Sequence, residues 1–92
     1  MSDLRDFDIA NYLDNKEIIA EYLTQVLEDG DVDAFISAIN DIARAKGISS
    51  IAKETNLNRE SLYKAFKKDS KPRFDTVLKV LNALDVKLVA VA

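Results

Sequence analysis

Apolar residues between positions 15 and 28 recur in pairs one helical turn apart: Ile18 and Ile19, Tyr22 and Leu23, Val26 and Leu27. That spacing lays one apolar stripe on a helix from Asn15 to Glu28. Asp14 followed by Glu17 resembles a capping box at its start, and Gly30 is a natural stop because glycine tolerates the left-handed conformation. Asp31 can cap a second helix from Val32 to Lys46, with Val32, Phe35, Ile36, Ile39, Ile42 and Ala43 inward and Gly47 at its end. Beyond Gly47 the elements shorten. Ser49 can cap a helix of Ser50 to Thr55, with Ile51 and Ala52 inward. Asn56, Leu57 and Asn58 make a turn, and Asn58 can cap a helix from Arg59 to about Lys68 with Leu62 and Phe66 inward. A polar connection holding the chain's one proline, Pro72, leads to a last helix from Phe74 to Leu84, where Phe74, Val77, Leu78, Leu81 and Leu84 keep helical spacing. Val86 to Val91 is β-branched and nearly uncharged, so it is expected to form one strand, which must pair with something to satisfy its backbone. Phe7, Ile9, Tyr12 and Leu13 suggest a short extra turn packed on the helices.

The expected fold is thus mainly all-α: a five-helix bundle with a helix-turn-helix and one C-terminal β-strand. At 92 residues the chain has room for a single domain, residues 1–92, with one modest core. Within it we expect an acidic helical segment of residues 1–43, a basic helix-turn-helix segment of residues 44–85 and a strand of residues 86–91.

Charge sharpens this division. Residues 1–43 carry two basic against eleven acidic residues, a net −9, and residues 44–92 carry eleven against five, a net +6, which together give the −3 of the whole chain. Segregation of this kind points to two surfaces with different partners, the basic one suited to nucleic acid. The pI of about 4.8 argues against it, since nucleic-acid-binding domains commonly lie above about 9. There is no Cys and no His, which removes disulfides, thiolate metal sites and the commonest general base. Neither a cofactor nor a metal is expected, no residue is assigned a catalytic role, and an enzyme is disfavoured. No run of about 18 apolar residues exists, and Met1 to Asp6 is acidic where a signal peptide would be basic. A cytoplasmic protein without a membrane partner is expected.

The segment Ile48 to Lys67 has helix-turn-helix spacing. Ala52 is the small residue needed where two short helices cross, Asn56 tolerates positive φ at the turn, and Ile51, Leu57 and Leu62 can lock the pair. The outward face of the second helix is then Asn58, Arg59, Glu60, Ser61, Tyr63, Lys64 and Lys67, the face a DNA major groove would meet. Arg59 can donate two hydrogen bonds to guanine, Asn58 can pair with adenine, and Glu60 can accept from cytosine. Lys64, Lys67, Lys68, Lys71, Arg73 and Lys53 can neutralise phosphates, and helix N-termini at Ser49, Ser50, Ser61 and Thr76 offer N–H groups to anions. Tyr63 can pack, stack on sugar or touch a thymine methyl. The blander alternative is that two short helices with a solvated lysine face serve only as scaffold.

Several stretches resemble the HigA-like antidote (antitoxin) proteins of addiction modules, within the Cro/CI-type helix-turn-helix group. They are Ala10 to Asp14, Ala20 to Leu23, Leu27 to Asp31, Ile42 to Gly47, Asn58 to Ala65 and Pro72 to Leu78, the most specific stretch lying between Arg59 and Leu78. The resemblance implies a dimer that neutralises a small ribonuclease-type toxin and represses its own operon. Asn56 stands where the wider group has a turn glycine, and Asp85 where the last helix often ends in glycine. Double-stranded DNA, a cognate toxin and a second copy of the chain are the expected partners. The competing functions are a stand-alone helix-turn-helix regulator and a protein-interaction module without DNA binding. A single helix-turn-helix reads few base pairs, so a symmetric homodimer is expected, with the strand Val86 to Val91 at or near its interface or else paired with Phe7 to Ile9 of its own chain.

Overall fold

A computed structural model describes residues 9–12 and 14–92. A short 3-10 helix, Ile9–Tyr12, packs against the first two of five α-helices: α1 Lys16–Glu28, α2 Val32–Lys46, α3 Ile48–Thr55, α4 Arg59–Phe66 and α5 Phe74–Ala83. The extra turn expected near the N-terminus is this 3-10 helix, while Phe7 and Leu13 lie outside the described residues.

Caps decide most boundaries. Asn15, rather than Asp14, starts α1, its Oδ1 accepting the Ile18 N–H at 3.1 Å. Asp31 starts α2 by accepting from Ala34 N–H at 3.1 Å. Gly47 both ends α2 and precedes α3, and its φ of +117° explains how the chain turns there in a single residue. Because α3 begins directly at Ile48, Ser49 is in its first turn and is not its cap. α4 closes at Phe66, short of Lys68.

One core draws on all five helices. Ile19 and Leu23 of α1 meet Phe35, Ile36, Ile39 and Ile42 of α2, and beneath them lie Ile48 and Ile51 of α3, Leu62 and Phe66 of α4, and Val77, Val80 and Leu81 of α5. Val32, expected inward, is instead exposed, as is Phe74, which keeps the helical spacing of α5. Each is the first residue of its helix, where the apolar stripe has no neighbouring element to cover it.

The expected C-terminal strand is absent: no strand occurs among the described residues. Val86 is consumed as a helix stop. Its N–H donates to the Leu81 carbonyl at 3.0 Å, and Leu84 N–H donates to Val80 at 3.1 Å, with Asp85 at φ +61° doing what glycine does at such ends. The residues after it have no ladder partner among those described, and Val89 and Val91 are exposed. β-branching favours a strand only where another strand supplies hydrogen bonds. Val86 to Leu88 line one small cavity together with Ala20, Leu23, Thr24 and Leu27 of α1, as irregular chain. The strand expected at or near a dimer interface is therefore not formed in this chain, and the alternative pairing with Phe7 to Ile9 falls mostly outside the described residues.

Candidate nucleic-acid interface

α3 and α4 are eight residues each, joined by the turn at 56–58. Asn56 takes φ +61° and donates its N–H to Ala52, and Leu57 N–H reaches the same carbonyl at 3.2 Å. The asparagine fills the left-handed position at the turn, as its tolerance of positive φ predicts. Thr55, buried, donates its hydroxyl to the Ile51 carbonyl at 2.8 Å, so its side chain carries no unpaired polar group into the core. Ile51 and Leu62 are buried and Leu57 half-buried, the three apolar locks that the spacing predicts.

Beside these locks lies a shallow, wide-open depression lined by Ser49, Ala52, Lys53, Leu57, Asn58, Arg59 and Glu60. Four of the expected site residues, Ser49, Asn58, Arg59 and Glu60, therefore converge, and Lys53 joins them. Ser50, Ser61 and Lys64 are also exposed on the same two helices. Asn58 is committed locally: its Oδ1 accepts the Ser61 N–H at 2.7 Å. Reading adenine through both amide atoms would require surrendering that cap, and the Ser61 N–H is not open to an anion. Thr76 N–H is likewise taken, by Asp75 Oδ1 at 2.9 Å. Arg59 and Glu60 make no ion pair with the described residues, so their heads face solvent.

The remaining cations lie elsewhere. Lys67 and Lys68 line a second cleft, of about 210 Å³, with Asp33, Ser37, Asp69 and Ser70. Lys71 Nζ stands 3.5 Å from Asp33 on α2, and Arg73 Nε 3.3 Å from Asp75, both pairs well exposed. Such surface pairs are weak and can exchange partners.

Tyr63 is half-buried, and the Arg44 guanidinium of α2 lies over its ring, 4.8 Å from the centroid. Sequence reasoning leaves Arg44 out of the site, because nothing local relates the end of α2 to α4. The one signal is that it is the first cation of the basic half.

The sequence profile of the probable addiction module antidote proteins matches residues 3–92. The chain belongs to that family. An uncharacterized protein of Haemophilus influenzae strain Rd is 42% identical over 83 residues, covering 90% of this chain and 86% of that one. No solved structure gives a significant match. Membership in the antidote family implies a cognate toxin as partner. No helix among the described residues is long and apolar enough to cross a membrane.

Proposed function

We propose that this antidote protein acts by binding alone, as the helix-turn-helix antitoxin of a Cro/CI-like, HigA-like type. In this reading it holds operator DNA on α4, represses its own operon and neutralises a small ribonuclease-type toxin. The observation that carries the DNA half is that Ser49, Lys53, Asn58, Arg59 and Glu60 line one shallow surface at the α3–α4 junction. A helix N-terminus bearing Arg and flanked by Lys is the equipment that major-groove reading needs. Arg59 is the base reader, Lys53 and Lys64 hold phosphates, and Asn58 is chiefly the cap that aims the helix. The absence of His and Cys from the sequence supports a non-enzymatic role.

The toxin half of the proposal rests on α1 and the start of α2. Glu17, Glu21, Glu28, Asp29, Asp31 and Asp33 are exposed there and suit a cationic ribonuclease. A homodimer belongs to the proposal, because one α4 reads too few base pairs. With the strand gone, the exposed Phe74 and Leu78, one turn apart on α5, supply the apolar surface for it.

A mobility-shift titration of the full-length protein tests the regulator. A duplex from immediately upstream of its own reading frame should shift at concentrations where an unrelated duplex does not. Equal retardation of both, or of neither, refutes operator binding.

A further inference from the structure

We propose that Arg44, on α2 and outside the α3–α4 pair, is a phosphate-gripping residue of the DNA interface, and that Tyr63 is the positioning residue that aims it. This rests on the DNA-binding reading of α4.

The geometry isolates a prepared cation. The Arg44 guanidinium lies over the Tyr63 ring, 4.8 Å from its centroid, and its Nε donates to Asn40 Oδ1 at 3.4 Å. A guanidinium has five N–H donors in one plane. One faces Asn40, and the terminal nitrogens remain for an outside acceptor. The side chain is exposed and forms no ion pair with a carboxylate among the described residues, unlike Lys71 and Arg73. Stacking costs Arg little hydration and removes much of its rotamer freedom, which lowers the entropy lost when it grips a planar anion edge.

Position supplies the ligand class. Tyr63 stands one turn beyond Arg59 on α4, on the stripe that would lie in the groove. A guanidinium held against the middle of that stripe from α2 lies at its flank, where the sugar-phosphate wall of the groove runs. Tyr63 is then occupied by Arg44 on its ring face, which disfavours its use as a base-stacking or thymine-reading side chain.

The test is anisotropy of the full-length protein on a labelled upstream duplex and on a scrambled one, across a salt series, with thermal melts of each variant. Arg44→Ala should weaken both duplexes by the same factor of about tenfold. The log–log salt slope should fall by about 0.9, one phosphate's worth. Tyr63→Leu should reproduce both effects, Tyr63→Phe should restore wild-type behaviour, and the double variant Arg44→Ala with Tyr63→Leu should lose no more than either alone. If Arg44→Ala does not fold, Arg44→Gln, which keeps the stem, carries the same readouts. An Arg44 variant with wild-type affinity and slope but a lowered melting temperature makes the pair a mere clamp between α2 and α4 and overturns the proposal. Relaxed preference at one base pair overturns it as well, since Arg44 would then read a base. Wild-type protein that binds neither duplex removes the DNA reading and this proposal together, whereas loss of this proposal alone leaves wild-type binding intact.

Discussion

Ser61 N and Asn58 Oδ1 are 2.7 Å apart, so the asparagine whose sequence position suits an adenine contact has its oxygen committed to the first turn of α4. Asn58→Ala should destabilise the fold by about 1 kcal/mol, the usual worth of an N-cap. Asn58→Asp should keep the cap and gain from the helix dipole, yet weaken cognate and scrambled DNA alike because it sets a negative charge against phosphate. Chemical denaturation and anisotropy on the two variants check both halves. A change of base preference at one position in Asn58→Asp would make Asn58 a reader first.

Asn56 at φ +61° predicts an asymmetric response to substitution. Asn56→Gly should be close to neutral, and Asn56→Val should cost about 1–2 kcal/mol, the penalty of forcing a side chain branched at Cβ into the left-handed region. Urea midpoints measure it. Equal stability of the two variants would show that the turn relaxes to another conformation.

These two residues also mark how far the sequence could be read. Caps and left-handed stops are local chemistry, so Asp31, Gly47, Asn56 and Asn58 placed their helix ends, and the alternation of apolar pairs placed Ile19, Leu23, Ile39 and Ile42 in the core. Partnership across the chain is not local. Val86 to Val91 has strand composition, but what decides its state is whether a ladder exists, and the Leu81 carbonyl claims Val86 first. Val32 and Phe74 carry the right spacing at helix starts that nothing covers. The Arg44–Tyr63 stack joins α2 to α4, and Asn58 was legible both as cap and as reader, with only the bond to Ser61 showing which use its oxygen serves.

Phe74 is 65% exposed and Leu78 39%, large apolar side chains for a surface with no partner. Phe74→Glu combined with Leu78→Glu should leave the melting curve of the protomer near wild type and convert a dimer to a monomer in sedimentation equilibrium at micromolar concentration. Cognate DNA affinity should fall with it, because the two α4 helices would no longer be tied at about 34 Å. A double variant that remains fully dimeric places the interface away from α5.

The exposed acids of α1 and the start of α2 predict salt-sensitive capture of the toxin. Stopped-flow association should slow steeply between low and physiological salt while dissociation changes little, since steering charges act on the encounter. An on-rate indifferent to salt would assign that charge to solubility alone.

In the proposed function α4 reads DNA through Arg59. The most direct measurement is a series of single base-pair substitutions across the upstream duplex, titrated with wild-type protein and with Arg59→Ala. The account predicts that Arg59→Ala loses about 1–3 kcal/mol on the cognate duplex and becomes indifferent to one guanine position in each half-site, while its discrimination elsewhere is kept. An equal loss on every duplex, with the wild-type pattern of preferences unchanged, would contradict it and reduce Arg59 to a phosphate contact.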